Sequence, residues 1–347
     1  MQNQLQKIPK KLKLSRPNSY FILQYIFRPL ANFTFVRILY IAPRYEGGIG
    51  GHAKRVAEKL REKDYDIKLM FVPHVPIKNL KNLSFLLIGS LKAIFDREKY
   101  DVIHAWNIPS AFVMKYVKAR KKILSVHGVY SEQINMIHSS TIGTVASIAE
   151  EKALKLADVL TTDSKTVQKS YKEKLGLDFV HLAAPLDTNK FDIIPNVIKA
   201  NNQVVYVGRD SYEKGIDILR KIESQINSKV VYCTNMEWKE AMITLKASSI
   251  LVVPSRMESI PQVIKEAYYL KVPVVATNVG GIPEIVEDEV TGILVPSNDH
   301  NKLLNAINSL LKNNDKAMKL ANTAYDYIKK NYSWQALLPK YIELYEN

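Results

Sequence analysis

Residues 254–266 read Pro-Ser-Arg-Met-Glu-Ser-Ile-Pro-Gln-Val-Ile-Lys-Glu. The apolar residues that lead into this stretch, 249–254, predict a buried strand. Pro261 suits the first position of a helix, because proline has no N–H group for that position to leave unpaired. The stretch therefore predicts a strand, a short loop and a helix, in that order.

Two glutamates lie on either side of the predicted helix N-terminus. Glu258 belongs to the loop, and Glu266 lies about 7 Å along the helix axis. The N–H groups of Gln262 and Val263 lie between the two carboxylates, at the positive end of the helix dipole. This pattern predicts a phosphate site at those N–H groups, with a carboxylate on each side for sugar hydroxyls. The alternative is an ordinary strand–turn–helix unit with two acids on its surface.

A second pattern supports the phosphate site. Residues 204–209 read as a strand that ends in Gly-Arg, and Lys214-Gly215 precedes the next predicted helix. Arg209 and Lys214 are thus two cations near the C-terminal end of a parallel strand, where open α/β sheets bind ligands. Either cation alone also fits a solvated surface charge. Together with the two glutamates they favour a site for a diphosphate, to which arginine binds in a bidentate manner.

Predicted strands and helices alternate along the rest of the chain. Further strands are predicted at 36–42, 67–72, 102–104, 123–126, 159–162 and 229–233. Helices are predicted at 52–63, 83–95, 110–118, 142–155, 216–226 and 236–246. Residues 162–164 (Thr-Asp-Ser) are predicted to supply polar caps for a helix through Leu175. Such repeated units predict an α/β fold with parallel sheets that helices cover on both faces.

A glycine-rich loop, 47–51, is predicted between the first strand and the first helix. Its glycines do not fit the spacing Gly-x-Gly-x-x-Gly, which argues against an NAD site. The Asp64-Tyr-Asp66 sequence falls between a predicted helix and a strand, and is interpreted as a turn rather than a metal site. No grouping of His, Cys and Asp has the spacing of metal ligands, so no metal is expected.

Taken together, the ordered motifs resemble the retaining glycosyltransferases of family 4. The motifs are Gly47-Gly48, Asp101-Val-Ile-His104, His127-Gly128, Gly208-Arg209 with Lys214-Gly215, Glu258 with Glu266, Gly280-Gly281-Ile-Pro-Glu284, and Ser333-Trp334. The resemblance covers residues 36–347. It implies a GT-B fold, in which two Rossmann-like domains face each other across a cleft and a C-terminal helix crosses back to the N-terminal domain.

The resemblance also implies a division of the chain and roles for its parts. Residues 1–35 form an extension, 36–186 the acceptor-side domain, 187–330 the nucleotide-sugar domain, and 331–347 the helix that packs on the N-terminal domain. The residues implied in catalysis are His127, Glu258, Arg209 and Lys214. Those implied in donor binding are Gly47, Gly48, Arg209, Lys214, Glu258, Ile260, Pro261, Gln262, Val263 and Glu266.

The implied reaction moves a hexosyl unit from a UDP- or GDP-sugar to an acceptor hydroxyl with retention of configuration. Arg209 and Lys214 would hold the diphosphate, Glu266 the ribose and Glu258 the transferred sugar, while His127 would lie near the anomeric carbon. The leaving diphosphate would help to deprotonate the acceptor. Two cations and a helix N-terminus stabilise the charge that grows on it, so neither a metal nor another cofactor is expected.

Three departures from the family pattern limit what is carried over. The linker reads Ala184-Pro185-Leu186-Asp187 where the family often has Asn-Gly-Val-Asp. The segment between Arg209 and Pro254 is short, because only one strand and one helix fit between the predicted helix 216–226 and the strand at 249, where the family usually has a further pair. That region helps to shape the base pocket, so the identity of the base is not inherited. Trp106 stands where a second histidine is common. A nucleotide-sugar epimerase or hydrolase on the same fold, and a non-enzymatic module that binds anionic surfaces, stay as alternatives.

The positive charge of the chain lies in its N-terminal half. Residues 1–190 contain 31 Lys and Arg against 16 Asp and Glu, whereas residues 191–347 contain 18 of each. A basic acceptor-side domain favours an anionic partner, such as a lipid-linked or glycan acceptor or an anionic membrane surface, over nucleic acid. The alternative is a set of solvated lysine-rich faces.

The expected location is the cytoplasm, with a peripheral position on the inner face of the membrane as a further possibility. Cys233 is the single cysteine, which excludes a disulfide framework and suits a reducing compartment. Residues 1–35 combine five early cations with the short apolar run 20–27, which is far below the roughly 20 residues that span a bilayer. This extension is interpreted either as an interfacial segment or as one that only packs on the N-terminal domain.

Overall fold

The protein is described from a computed structural model, which describes residues 36–44, 48–73, 80–129, 140–200 and 202–347. The predictions for the extension 1–35 and for Gly47 lie outside these residues. The first sheet has six parallel strands in the order β2-β1-β3-β4-β5-β6. The strands are β1 Arg37–Pro43, β2 Asp66–Val72, β3 Tyr100–Ala105, β4 Ala119–Val126, β5 Val159–Thr162 and β6 Val180–His181.

Helices cover both faces of the first sheet. They are α1 Gly48–Arg61, α2 Lys81–Phe95, α3 Ile108–Met114, α4 Ser140–Leu154 and α5 Lys165–Leu175. Alternate residues of β1 point to opposite sides, because side chains alternate along a strand. Leu39 and Ile41 join the core that includes α2, α3 and α4, whereas Ile38 and Tyr40 join the core that includes α1. Both faces are therefore buried, as the sequence predicted.

The second sheet has five parallel strands in the order β11-β10-β9-β7-β8. The strands are β7 Gln203–Val207, β8 Lys229–Cys233, β9 Ile250–Val253, β10 Val274–Thr277 and β11 Ile293–Val295. The helices are α6 Ile216–Ile222, α7 Trp238–Ala247, α8 Gln262–Tyr269, α9 Ile282–Ile285, α10 His300–Lys312 and α11 Asn314–Asn331. The prediction of only one strand and one helix between the helix that starts at Ile216 and the strand at 249–254 is confirmed by β8 and α7.

Several predicted boundaries are wrong. The glycines after the first strand form the first turn of α1 rather than a loop, with Gly48 at φ +56° and Gly50 and Gly51 buried. Glycine costs about 1 kcal/mol in a helix relative to alanine, so packing rather than propensity sets this turn. Pro261 is the N-cap of α8 and not its first residue. The helix predicted at 216–226 ends at Ile222 and continues as a 3-10 turn.

A further error concerns the helix predicted at 110–118. The side chain of Asn107 caps this helix by accepting from the Ser110 N–H group at 2.9 Å, so α3 begins at Ile108. The helix then ends at Met114, and residues 115–118 form a turn. β4 begins at Ala119 and pairs with β3, four residues before the start of the strand predicted at 123–126.

The C-terminal helix α12, Trp334–Glu346, packs against the first sheet as predicted. Its Tyr345 hydroxyl lies 2.6 Å from the Tyr40 hydroxyl and 2.7 Å from His104 Nδ1. The His104 Nε2 atom lies 2.6 Å from the Ser125 hydroxyl. Burial lowers the pKa of His104 well below its usual value, and a neutral imidazole has the one donor and one acceptor that this buried chain requires. No described helix is both long and apolar enough to span a bilayer.

Candidate active site

A cavity of about 730 Å³ opens between the C-terminal edges of the two sheets. Residues from both halves of the chain line it. From the first half these include Gly48, His52, Arg55, His127, Asp163 and Lys190, and from the second half Arg209, Lys214, Trp238, Glu258, Ser259, Ile260, Gln262 and Glu266. Most of the residues that the sequence singled out are therefore brought together. Pro261 and Val263 do not line the cavity, although they lie at the start of α8.

Lys214 and Glu258 form an ion pair in the wall of the cavity. The Lys214 ammonium donates to Glu258 Oε1 at 2.6 Å, and the Ser255 hydroxyl donates to the same oxygen at 3.0 Å. Gly215 follows Lys214 at φ +65°, and a Cβ atom there would clash with the Pro254 carbonyl oxygen. The close approach of these two loops holds the lysine beside the glutamate, which explains why a glycine follows the lysine.

Arg209 lies at the rim of the cavity. Its guanidinium donates to Glu213 at 2.9 Å, while its side chain is 73% exposed. The Tyr206 hydroxyl donates to the backbone carbonyl of Arg209 at 2.6 Å, which anchors the turn after β7. Arg209 and Lys214 thus face the same cavity, and the exposed guanidinium has donors left for an incoming anion.

The Gly280-Gly281 pair supports the loop that carries Glu258. The Gly281 N–H group donates to the Glu258 carbonyl oxygen at 3.2 Å. A Cβ atom at Gly280 would clash with that oxygen, and one at Gly281 would clash with the carbonyl oxygen of Ser259. Gln262 begins α8, so its N–H group and that of Val263 have no acceptor within the helix. The glycines place this helix N-terminus and Glu258 against the cavity.

Glu266 is held by residues that the sequence analysis did not single out. The Trp238 indole N–H group donates to Glu266 Oε1 at 2.8 Å. Burial raises the pKa of the Glu266 carboxyl, while the Trp238 bond and the charges of Arg55 and Lys190 oppose the rise. Lys190 also lies 5.6 Å from the centre of the Trp238 ring. An indole and two cations therefore surround the carboxylate at this end of the cavity.

His127 is oriented by Asp163, which the sequence analysis interpreted as a helix cap. His127 Nδ1 lies 3.3 Å from Asp163 Oδ2, and the Ser259 hydroxyl donates to Asp163 Oδ1 at 2.9 Å. Burial would raise the pKa of Asp163, but the charges of His127 and Lys265 and the two hydrogen bonds hold it at about 2. The carboxylate is thus ionised and can only accept, so Nδ1 of His127 carries the proton that it donates. The predicted cap is provided by Ser164, whose hydroxyl accepts from the Val167 N–H group at 3.2 Å.

Aromatic rings pack behind His127. Trp106 stacks at 6.4 Å between ring centres with an interplanar angle of 10°, and His52 lies 5.9 Å away. The His52 ring also contacts the Tyr341 hydroxyl of α12 at 3.0 Å. Burial lowers the pKa of His52 well below its usual value, and the nearby charge of His127 lowers it further. Trp106 thus replaces the second imidazole of the family pattern with an apolar wall.

Two further contacts join the halves of the chain beside the cavity. Glu284 accepts from the Lys165 and Thr166 N–H groups at 2.7 and 2.8 Å, and so caps the N-terminus of α5 from the opposite half. The buried Lys265 ammonium donates to the Ala184 carbonyl in the linker at 2.8 Å, and burial lowers its pKa to about 8. The glycines of the Gly280-Gly281-Ile-Pro-Glu284 motif therefore support the loop that carries Glu258. The glutamate of the motif binds the N-terminus of α5 in the opposite half.

A second cavity, of about 620 Å³, lies beside the first and shares Arg55 and Lys190 with it. Its other lining residues are Arg44, Gly51, Lys54, Glu58 and Phe71. Within the described part of the chain, Lys54 is the only one of its four cations in an ion pair, with Glu58 at 4.0 Å. We refer to this cavity as the basic groove. The described residues contain no group of three His, Cys, Asp or Glu side chains that could hold a metal.

Comparison with known proteins adds to this geometry. The family model for glycosyl transferases group 1 matches residues 219–327, and that for glycosyltransferase family 4 matches residues 46–198. The α-maltose-1-phosphate synthase of Mycolicibacterium smegmatis is 30% identical, over 87% of this chain and 96% of that protein. The chain belongs to the group 1, or family 4, glycosyltransferases.

Solved structures show the fold of this glycosyltransferase. Sucrose-phosphate synthase from Thermosynechococcus elongatus superposes with a TM-score of 0.77 at 17% identity, over 89% of this chain and 98% of that one. The Anabaena protein HepE in complex with UDP-glucose superposes with a TM-score of 0.70 at 18% identity, over 89% and 98% of the two chains. The predicted GT-B fold is confirmed.

Proposed function

We propose that this glycosyltransferase is a retaining enzyme that transfers a hexosyl unit from a UDP- or GDP-sugar to an acceptor hydroxyl. The arrangement of Lys214, Glu258 and the α8 N-terminus in one cavity wall carries the proposal. A diphosphate would lie between the cations and the helix N–H groups, and the transferred sugar would lie against Glu258. HepE, whose fold is similar, is solved in complex with UDP-glucose, which supports a nucleotide-sugar donor.

The nucleoside would occupy the end of the cavity around Glu266. Its carboxylate accepts from Trp238 through one oxygen, so the second oxygen is available for the two hydroxyls of a ribose. The Trp238 indole and Lys190 lie at the same end of the cavity. In this arrangement residues 187–330 form the donor domain and residues 36–186 the acceptor domain.

The chemistry follows from the distribution of charge. Cleavage of the anomeric C–O bond moves an electron pair onto the diphosphate, and Lys214, Arg209 and the helix N-terminus stabilise it more than they stabilise the bound donor. The acceptor hydroxyl attacks the anomeric carbon from the face that the diphosphate leaves, so the configuration is retained. The hydroxyl passes its proton to the leaving phosphate oxygen. The Asp163 carboxylate orients the His127 ring toward the anomeric carbon. Its negative charge also stabilises the positive charge that develops at that carbon. No metal enters this scheme.

The basic groove supports an acceptor that carries negative charge. It opens beside the donor cavity, and Arg44 and Phe71 line it near the C-terminal ends of β1 and β2. Burial lowers the pKa of Arg55 and of Lys190, because each loses solvation in the wall. A phosphate or carboxylate in the groove would restore that lost stabilisation. A lipid-linked or polyanionic glycan acceptor meets this requirement, with the enzyme at the cytoplasmic face of a membrane.

The groove makes a prediction about acceptor affinity. The double substitution Arg44→Ala/Lys54→Ala removes two cations that lie outside the donor cavity. We expect KM for an anionic acceptor to rise about tenfold, which corresponds to roughly 1.4 kcal/mol, with little change in nucleotide affinity. Steady-state kinetics at saturating donor measure this change. An unchanged KM for the acceptor would contradict the role of the groove.

A nucleotide panel tests the proposed function itself. Thermal unfolding would be followed with UDP, GDP, ADP and dTDP and with their common sugars. A ligand at about 100 times its Kd adds roughly 2.7 kcal/mol to the free energy of unfolding, which is readily detected. We expect stabilisation by one nucleotide, and transfer products only when an acceptor is added. Release of free or epimerised sugar without acceptor would instead support a hydrolase or epimerase, and no stabilisation by any nucleotide would contradict a donor site.

A further inference from the structure

The outer face of α2 exposes an apolar stripe that the active site does not use. Leu83, Leu87, Leu91 and Ile94 repeat at spacings of four, four and three residues, which places them on one face of the helix. With Leu80 and Phe95 at the two ends, these side chains are between 46% and 75% exposed. Soluble proteins rarely expose so continuous an apolar patch without a binding role. We call these six residues the α2 stripe.

The opposite face of α2 already packs into the core of the N-terminal domain. Phe85 and Ala93 are buried there, and Gly89 lies against Val113 of α3. The helix is therefore held in place independently of the stripe. On the same side of the sheet, Val145 and Ile148 of α4 are also exposed. These two residues add exposed apolar surface on the same side of the sheet as the α2 stripe.

The surroundings of the stripe carry positive charge. The exposed cations in and next to α2 and α3 are Lys92, Arg97, Lys99, Lys115 and Lys118. The acids that follow α2 are already paired, since Lys68 contacts both Asp96 and Glu98. An apolar face with a cationic border complements the headgroups and acyl chains of an anionic bilayer surface.

The direction of α2 relates this face to the cleft. The helix follows β2, so it starts at the C-terminal edge of the sheet, which is the edge that lines the cavities. Leu80 and Leu83 therefore lie at the cleft end of the stripe, and Phe95 at the far end. A lipid-linked acceptor that emerged from a bilayer under α2 would enter the cleft from the side of the N-terminal domain.

We infer that the α2 stripe docks this protein onto a bilayer that contains anionic lipids, with α2 lying in the plane of the interface. Only the purpose of the docking rests on the proposed function. That purpose is to present a lipid-linked acceptor to the cleft. The docking itself requires no donor chemistry.

Flotation of the full chain with vesicles tests the inference. The probes are vesicles of equal parts phosphatidylcholine and phosphatidylglycerol, and vesicles of phosphatidylcholine alone. The variant is Leu87→Glu/Leu91→Glu, and the matched control is Ile198→Glu/Met318→Glu, which changes two exposed apolar residues elsewhere. We expect the control to bind mixed vesicles like the unchanged protein, the α2 variant to bind at least tenfold more weakly, and both proteins to unfold at the same temperature.

Other outcomes would overturn the inference. Equal binding of the α2 variant and the unchanged protein would assign vesicle binding to another segment. Absence of vesicle binding by the unchanged protein would contradict the inference outright. A dimer that the α2 substitutions convert to a monomer would show that the stripe binds a second copy of the chain. The Lys214→Ala variant separates the two proposals, because it should lose nucleotide binding and keep vesicle binding. Loss of docking by the α2 variant alone thus bears on the membrane surface and not on the donor site.

Discussion

Replacing Lys214 by alanine is expected to lower kcat for sugar transfer about 100- to 1,000-fold, the loss that follows removal of one group that stabilises transition-state charge. The Lys214 side chain is less exposed than that of Arg209, and its ammonium lies 2.6 Å from Glu258. Its loss removes the positive charge that would stabilise the leaving diphosphate. It also leaves the Glu258 carboxylate without its ion-pair partner. The measurements are single-turnover transfer with a radiolabelled nucleotide-sugar and thermal unfolding with the nucleotide.

A matched control separates this effect from a general change in charge. Lys221 is an exposed lysine on α6, in the same half of the chain, and does not line the cavity. Lys221→Ala should therefore keep the transfer rate and the nucleotide-dependent stabilisation of the unchanged protein. Near-normal turnover by Lys214→Ala would remove the basis for the diphosphate site. An equal loss in both variants would point to long-range charge rather than to a local contact.

Replacing Asp163 by asparagine is expected to reduce both stability and transfer. The carboxylate contacts His127 and Ser259, and its pKa of about 2 lies below the usual value of 3.8. A pKa that is lowered in the folded state adds stability above the usual pKa, and this stability is lost as the pH falls toward the folded pKa. The contribution at neutral pH is about 2 kcal/mol for the buried carboxylate, and it should disappear between about pH 4 and pH 2.

Urea unfolding as a function of pH measures the first effect. The free energy of unfolding of the unchanged protein should fall below about pH 4 as Asp163 is protonated. The Asp163→Asn variant should not show this part of the fall. Its kcat should fall about 100-fold, because His127 loses the charge that orients it, while nucleotide affinity stays the same. Asp178→Asn is the control, since Asp178 forms an exposed ion pair with Lys172 and should change stability by less than about 0.5 kcal/mol. An identical pH dependence in Asp163→Asn and the unchanged protein would contradict the assignment.

Local patterns in the sequence determined much of the donor side. The interval between Glu258 and Glu266 spans a loop and the start of a helix, and helix geometry places Glu266 about a turn into α8. The alternation of strands and helices predicted parallel sheet structure covered by helices, the resemblance implied that it forms two domains, and the shortened segment after Arg209 was recognised from its length. These features depend on neighbours in the chain, so their spacing can be read directly.

Elements whose partners are distant in sequence were misjudged. The strand predicted at 123–126 begins four residues earlier, at Ala119, because pairing with β3 extends it through Lys121 and Lys122. The glycines after β1 were assigned to a loop, but packing holds them in α1. The sequence predicted α2 as a helix near 83–95 without revealing that its apolar residues face outward on one side. A helix that is apolar on both faces gives no local sign of which face is buried.

Only the tertiary structure decided which residues complete the site. Ser259 and Asp163 meet across 96 residues of sequence, and Trp238 reaches Glu266 from a different helix. Glu284 caps α5 from the opposite half of the chain, and Arg55 and Lys190 join two cavities. Trp238 and Glu266 meet because α7 and α8 lie side by side in the second half, whereas the contacts of Ser259 and Glu284 exist because the two sheets face each other across the cleft. The sequence by itself determined the residues that one strand–loop–helix unit places together. The packing of the helices and of the two sheets determined which side chains contact those residues and how their pKa values shift.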